Sequence, residues 1–168
     1  MNPNPSGTLL PIELLGDGPI PAPGPRDSWV VLGKHGNCFV CQPDNPGGLR
    51  ADLYRDGAVI RCPFTFRTPQ EGPPHHAHGG SIAALMDEIM GAAAWSRRHN
   101  LLAVHLELDY RRPLPLDTEL MALGWVRTEG NRSIKVAGEI RLPDGSTAVQ
   151  AQGVFAIARD MFQQPFFG

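Results

Sequence analysis

The segment from Gly79 to Arg98 constrains the fold most, because it is apolar around almost its whole circumference. Hydrophobic and small residues fill nearly every position of a helical repeat, so we predict a helix buried at the centre of the domain. Two acids, Asp87 and Glu88, interrupt this segment. A carboxylate in a buried helix costs free energy unless it is paired or functional. These two residues are therefore the first candidates for chemistry.

Asp87 shares a stripe at helical spacing with small residues only: Gly80, Ala84, Gly91 and Ala94. Small residues let another backbone or a flat ligand come close. Two interpretations follow. Asp87 either forms a buried ion pair inside tight packing, or it lies at the floor of a cleft, where burial sets its pKa.

Strand patterns flank the helix. Residues 58–67 predict a strand that Pro63 places at a sheet edge or a bulge. Residues 103–112, 119–128, 133–142 and 147–158 predict further strands, and Pro143 and Gly145 suit a tight turn between the last two. Alternation within 103–112 places Val104, Leu106, Leu108 and Tyr110 on one face and Ala103, His105, Glu107 and Asp109 on the other. This order predicts an α+β domain with an antiparallel sheet and one dominant helix.

Length and charge limit the domain organisation. The 168 residues favour one domain. We expect an irregular Pro- and Gly-rich extension over 1–28 that docks by the apolar residues between Leu9 and Leu15, a single domain over 29–160, and a tail over 161–168. The net charge of −2 disfavours nucleic-acid binding, and no apolar run is long enough to span a membrane. The three cysteines and the absence of a basic residue before Arg26 favour a cytoplasmic protein.

The run from His78 to Gly91 contains His-Gly-Gly, six residues and then Asp87. It resembles the signature of hot-dog-fold acyl-CoA thioesterases, most closely the phenylacetate-pathway branch. The resemblance covers residues 38–158 and includes CFVC at 38–41, NP at 45–46, GL at 48–49 and YRRPLP at 110–115. It implies a curved antiparallel sheet wrapped around one long central helix. It also implies a homodimer or homotetramer with active sites at the dimer interface.

The resemblance implies a catalytic role for Asp87, either as a general base on water or as a nucleophile on the thioester carbonyl of an acyl-CoA. It implies that the Gly79 N–H polarises that carbonyl, which suits the unpaired N–H groups and positive dipole of a helix N-terminus. His78 and Gly80 complete the expected catalytic set. Ser81 is expected to be an additional donor or a simple cap. No cofactor is expected.

Two positions depart from this family pattern. Gly72 stands where some relatives carry Asn, and Ala103 stands where some carry a Ser or Thr that holds the attacking water. We expect His75, His76 or His78 to replace the first, and His105 or Glu107 to replace the second. Five basic residues are candidates for binding the phosphates of coenzyme A: Arg111, Arg112, Arg127, Arg132 and Lys135. The alternative for each is a solvated position at a sheet edge with no ligand. Among these Arg132 is favoured. Arg112, Ser81, His76 and His105 join it as expected substrate contacts.

Cys38-x-x-Cys41, close to His35, permits a zinc site, a redox pair or a turn of buried small residues before the first strand. Structural zinc sites usually combine two well-spaced pairs, and only one pair is present. We therefore expect the turn and no metal.

Two other functions stay open. One is an acyl-CoA-binding hot-dog protein without turnover. The other is a hot-dog enoyl-CoA hydratase, because Asp44-Asn45-Pro46 resembles part of the hydratase motif. Gly47-Gly48 follow where that motif needs a histidine.

Overall fold

The structure is a computed structural model, and it describes residues 14–97 and 100–158. These residues form one curved antiparallel sheet of seven strands and one long helix. The strands are β1 (Val30–Val31), β2 (Tyr54–Asp56), β3 (Val59–Thr65), β4 (Leu101–Tyr110), β5 (Glu119–Glu129), β6 (Ser133–Arg141) and β7 (Thr147–Ile157), and the helix is α1 (Gly79–Trp95). The strand order is β1-β2-β3-β5-β6-β7-β4. The predicted α+β architecture is confirmed.

The five predicted strands correspond to β3, β4, β5, β6 and β7, with bounds that differ by at most two residues. Pro63 pairs with Met121 of β5, whereas β2 reaches only as far as Arg61 on the other side of β3. Pro63 therefore lies on an unpaired stretch of edge, as predicted. The sequence did not predict β1 or β2, because strands of two and three residues are too short to show an alternating pattern.

The helix α1 begins at Gly79 as predicted but ends at Trp95, before the predicted Arg98. Arg98 lies outside the described residues. Ser96 caps the C-terminus: its N–H and its hydroxyl both donate to the carbonyl oxygen of Ala92. The indole N–H of Trp95 donates to the carbonyl oxygen of Leu101 at 2.9 Å, which fixes the helix end against the start of β4.

The core lies between α1 and the concave face of the sheet. Gly124 of β5 and Gly138 of β6 are direct cross-strand partners beneath the helix. A Cβ atom on Gly124 would lie 2.7 Å from Cγ2 of Ile89, and one on Gly138 would lie 2.5 Å from Cε of Met86. The helix thus packs directly on the sheet backbone, and the side chains of Met86, Ile89 and Met90 are fully buried.

Residues 14–29 cross the opposite face of the sheet. The buried guanidinium of Arg61 donates to the carbonyl oxygen of Pro21 at 2.9 Å and pairs with Asp56 at 2.6 Å. Asp17 forms an ion pair with Arg127. The apolar residues expected to dock this segment lie mostly outside the described residues, and Leu14 is 49% exposed. The described contacts of the segment are therefore largely polar.

Candidate active site

One strip of α1 is not covered by the sheet. Gly80 and Asp87 are exposed and Ala84 and Gly91 are half-buried, whereas Ala94 at the end of the predicted stripe is fully buried. The expectation of a helix buried on every side is therefore wrong for this strip, because one curved sheet covers only part of a helix surface. Within the described ranges no ion pair or hydrogen bond engages the Asp87 carboxylate. The interpretation of Asp87 as a buried ion-pair partner finds no support.

A cavity of about 150 Å³ lies beside Asp87, and its wall includes Gly91, Trp95, Ala103 and Phe155. These four neighbours are apolar and solvate a charge poorly, and His35 and Glu88 form the polar part of the wall. The Asp87 side chain is accessible from one side, but partial desolvation by the surrounding protein, followed by the charge of Glu88, raises its pKa. A carboxylate with a raised pKa is a stronger base once it is ionised, which suits proton transfer from water.

The N-terminus of α1 is capped by His78, whose Nδ1 accepts the N–H of Gly80 at 2.9 Å. This capping bond excludes the simple capping role considered for Ser81 and occupies the N–H of Gly80. The N–H of Gly79 has no acceptor among the described residues. Gly79 therefore offers, among the described residues, a free donor at the positive end of the helix dipole.

Tyr110, at the end of β4, contacts the first residue of α1. Its hydroxyl donates to the carbonyl oxygen of Gly79 at 2.9 Å. A phenol is a donor at neutral pH, and partial burial raises the pKa of this one further. The strand pattern and the family resemblance included Tyr110 but did not predict this role. A phenol at the end of a strand, directly before two arginines, was the available signal.

The loop before α1 leaves no room for a side chain at Gly72, the first position that departs from the expected family pattern. A Cβ atom on Gly72 would lie 2.8 Å from Cα of His78, so a longer side chain cannot enter without moving the loop. His76 and His75 serve the loop itself: Nδ1 of His76 contacts the carbonyl oxygen of Pro74, and the N–H of His75 donates to Glu71. Of the three histidines, only His78 caps the helix.

A bulge in β4 separates Ala103 from His105. Ala103 pairs with Phe155 and lines the cavity beside Asp87, whereas His105 pairs with Val154 after a register shift. His105 and Glu107 then line hollows on the opposite face of the sheet. The predicted shared face of these residues is therefore wrong, because the bulge at Val104 inverts the alternation. Neither His105 nor Glu107 replaces the missing hydroxyl within one chain.

Arg112 and Arg132 lie at opposite ends of the sheet. Arg112 follows Tyr110 at the Gly79 end of α1 and contacts Asp144 and Ser146 of the β6–β7 turn. Arg132 lies in the β5–β6 turn, where its carbonyl oxygen accepts the N–H of Ile157. The two guanidinium groups cannot bind one phosphate cluster within a single chain.

Comparisons with known proteins agree with the fold. The family described as "Thioesterase superfamily" matches residues 75–149, which include the helix and most of the sheet. Acyl-coenzyme A thioesterase THEM4 of Xenopus laevis is 33% identical over 119 residues, which are 69% of this chain and 54% of that protein. A crystal structure of a thioesterase superfamily protein is 33% identical with a TM-score of 0.63, over 68% of this chain and 57% of the other. Residues 75–149 of this chain belong to the thioesterase superfamily.

A further solved structure supports the superfamily fold. The PaaI protein of E. coli, from the phenylacetic acid degradation operon, has a TM-score of 0.61 at 22% identity, over 65% of this chain and 80% of that one. The hot-dog fold expected from the sequence is therefore confirmed. The chain spans about half the length of the THEM4 relative.

Behind the candidate site, Glu88 contacts a loop that precedes the matched residues. Its carboxylate lies 3.2 Å from Nε2 of His35 and 3.5 Å from Sγ of Cys38. Burial alone would raise the pKa of Glu88, but hydrogen bonds from His35, Cys41 and Cys38 outweigh it and lower the pKa. Both acids of α1 line the cavity, but Glu88 has hydrogen-bond partners in the loop and Asp87 has none among the described residues.

Proposed function

We propose that this chain hydrolyses the thioester of an acyl-CoA to a free acid and coenzyme A. The observation that carries the proposal is the environment of Asp87. This carboxylate has no ion-pair partner among the described residues, lies beside a partly apolar cavity and has a raised pKa. The free N–H of Gly79 at the start of the same helix supplies the second component that acyl transfer requires.

In this proposal the Asp87 carboxylate takes a proton from water while the water oxygen attacks the thioester carbonyl carbon. Negative charge develops on the carbonyl oxygen and is stabilised by the N–H of Gly79. The carbon–sulfur bond then breaks, and coenzyme A leaves as a thiolate that takes up the proton. Direct attack by Asp87, through an anhydride that water then hydrolyses, gives the same products.

We also propose that the site is completed by a second copy of the chain. Gly79 and Asp87 are eight residues apart, about 12 Å along the axis at ~1.5 Å per residue. A donor, a carbonyl group and a directly attacking carboxylate in line span only about 7 Å, and a water between carboxylate and carbonyl adds about 3 Å. Asp87 of the partner subunit is therefore the candidate to act on a carbonyl held at Gly79. A surface for this contact is offered by the uncovered strip of α1 and by the edge of β4, which has no strand partner among the described residues.

Substrate contacts follow from the same geometry. The side chains of Ser81 and Arg112 lie near the Gly79 end, so we propose that they contact the thioester end and the phosphates of coenzyme A. Arg132 lies at the opposite end of the sheet, so it contacts substrate only if the partner subunit brings that end to the site.

A cytoplasmic location stays a prediction that cell fractionation would check. In the part of the chain that the structure describes, every helix is too short or too polar to cross a membrane.

The test is a panel of acyl-CoAs assayed by release of free thiol, with Asp87→Ala as the critical variant. We expect the natural chain to release thiol from at least one member of the panel and Asp87→Ala to release almost none. Asp52→Ala is the matched control, because Asp52 is an exposed acid paired with Lys34. Activity that survives in Asp87→Ala would overturn the assignment.

Acyl-CoA binding without turnover is the second candidate, and Ala103 in the cavity wall favours it because no hydroxyl holds a water there. Calorimetric binding of the acyl-CoA without thiol release would support it.

The hydratase alternative rested on Asn45, whose side chain has a structural role in the loop. Its amide N–H donates to the carbonyl oxygen of Asn37, and its amide oxygen accepts the N–H of Gly47. Water addition to an enoyl-CoA without thiol release would revive that alternative.

A further inference from the structure

Four side chains of the metal-ligating kind meet where one loop touches α1. His35, Cys38 and Cys41 come from the loop, and Glu88 comes from the helix. One donor atom from each lies within 4.8 Å of all the others. We propose that these four residues bind one zinc ion that fastens the loop to the helix directly beside Asp87.

The spacing of the donor atoms suits a tetrahedral ion. Donors ~2.0–2.3 Å from a common zinc lie about 3.3–3.8 Å from one another in a tetrahedron. Glu88 Oε1 lies 3.2 Å from Nε2 of His35, and Sγ of Cys38 lies 3.5 and 3.6 Å from the two Glu88 oxygens. A metal ion at the centre needs shifts of only a few tenths of an ångström for these pairs. Two thiolates, an imidazole and a carboxylate form a donor set that favours zinc.

The turn from Cys38 to Cys41 directs backbone N–H groups at the sulfur of its first cysteine, as a two-cysteine turn at a zinc site does. The backbone N–H groups of Val40 and Cys41 point at Sγ of Cys38, at 3.2 and 3.4 Å. N–H groups directed at a sulfur stabilise a thiolate more than a thiol, since hydrogen bonds to a charged acceptor are the stronger ones. The backbone geometry of this turn therefore favours the charge state that a metal requires.

The rest of the loop fixes the position of the turn from Cys38 to Cys41. The N–H groups of Leu49 and Ala51 donate to the carbonyl oxygens of Phe39 and Val40, both at 2.8 Å. A Cβ atom on Gly48 would lie 2.8 Å from the oxygen of Phe39, so only glycine allows this approach. The loop therefore presents Cys38 and Cys41 to the helix in a fixed arrangement.

Zinc binding at this cluster balances without a redox step. A divalent ion displaces the thiol protons of Cys38 and Cys41: two thiols lose two protons and form two zinc–sulfur bonds, so no oxidant or reductant is needed.

The site is closed, because the protein supplies all four ligands and Cys41 is only 3% exposed. A closed four-ligand zinc site is structural. The expectation of no metal rested on the lack of a second ligand pair in the sequence. The fold supplies that pair from His35, three residues before the first cysteine, and from Glu88, which is distant in sequence. The cysteine turn also lies after β1, not before the first strand as expected.

The test is metal analysis of the full chain, purified without a histidine tag or chelator and kept reduced. We expect about one zinc per chain by mass spectrometry, with two Zn–S distances of ~2.3 Å by X-ray absorption. Cobalt exchanged into the site should give the strong visible absorption of tetrahedral thiolate coordination. The Cys38→Ser/Cys41→Ser variant should hold less than about a tenth of a zinc per chain. Cys62→Ser is the matched control and should keep its zinc, because buried Cys62 lies outside the cluster.

A second pair of variants covers the case in which the double variant does not fold. Glu88→Gln removes one ligand and should lower the zinc content, whereas Asp87→Asn one residue earlier should leave it unchanged. The proposal is overturned if reduced natural chain contains almost no zinc and gives no cobalt spectrum, or if Glu88→Gln and Asp87→Asn retain zinc equally. These readouts do not depend on thioester hydrolysis.

Discussion

The hydroxyl of Tyr110 donates a 2.9 Å hydrogen bond to the carbonyl oxygen of Gly79. This bond joins the last residue of β4 to the first residue of α1. It therefore orients the backbone of the residue whose N–H is proposed to stabilise the oxyanion. A strand end and a helix start that are 31 residues apart in sequence thus form one unit of the candidate site.

Tyr110→Phe removes this bond and keeps the ring. We expect the free energy of unfolding to fall by about 1 kcal/mol or less, because the hydroxyl is partly solvated. Thioester hydrolysis should fall several-fold, since the Gly79 peptide loses an anchor. Urea unfolding and thiol release measure the two effects. Tyr54→Phe is the control, because Tyr54 contacts Trp29 through its ring. Equal losses of activity in both variants would contradict the positioning role.

Gly79→Pro tests the oxyanion donor directly. Proline is favoured at the first position of a helix, and His78 already has the extended backbone (ψ 135°) that a following proline requires. The variant should therefore fold while it lacks the N–H of Gly79. We expect thioester hydrolysis to fall by about 100- to 1,000-fold. Gly79→Ala keeps the N–H, and its Cβ atom meets only ordinary contact at 3.8 Å from Tyr110, so it should retain most activity. Similar activities in the two variants would exclude Gly79 as the donor.

The main features of the fold were predictable because they are periodic. The apolar run of α1 and the four long strands after it repeat over nine or more residues, and each was located to within about three residues. The bulge at Val104 was not predictable, because one inserted residue leaves the alternation of residue types intact while it inverts the face. The bulge therefore places His105 on the face of the sheet opposite the cavity.

The candidate site was predictable only where its residues are adjacent in sequence. His78, Gly79 and Asp87 lie within one helix and its cap, so a motif could reveal them. Tyr110 reaches Gly79 from another element, and Glu88 meets His35 across 53 positions. Such contacts depend on tertiary packing, which no spacing in the sequence records.

Gly124→Ala tests how closely α1 packs on the sheet. A Cβ atom there would lie 2.7 Å from Cγ2 of Ile89 and 3.0 Å from the Ile89 carbonyl oxygen, so the helix has to move. We expect the free energy of unfolding to fall by about 1–3 kcal/mol, the usual cost of overpacking a core. Gly47→Ala, at an exposed loop position with its nearest atom at 3.7 Å, should change stability little. Equal chemical denaturation midpoints for both variants would contradict the packing.

A shared active site requires an oligomer. We expect a dimer or larger species by sedimentation at micromolar concentration, and a stable monomer would contradict this. Mixing Gly79→Pro and Asp87→Asn subunits provides a sharper test. If Gly79 of one subunit works with Asp87 of the other, a hybrid dimer contains one intact site, and random exchange should restore about a quarter of the natural activity. No restoration after demonstrated exchange would place both residues in one chain.

Asp87→Asn separates catalysis from stability. The amide has nearly the shape of the carboxylate, and no ion pair among the described residues is lost with the charge. Because burial raises the pKa of Asp87, the charged form is not favoured by its surroundings, and its removal should leave the melting temperature unchanged or slightly higher. The amide cannot accept a proton or attack a carbonyl. We therefore expect turnover to fall by about 100-fold or more, as loss of a general base or nucleophile commonly causes.

Thermal melting and thiol release are measured on the same preparation of Asp87→Asn. Asp52→Asn serves as the control, because it replaces an exposed acid that forms a salt bridge with Lys34. If stability and activity collapse together, Asp87 is structural. If activity survives near the natural level, another carboxylate or a histidine carries the chemistry. Glu88 is the weaker substitute, since His35, Cys38 and Cys41 already engage its carboxylate. A base must have a free lone pair directed at water, and of the two acids in α1 only Asp87 faces the cavity without a partner among the described residues.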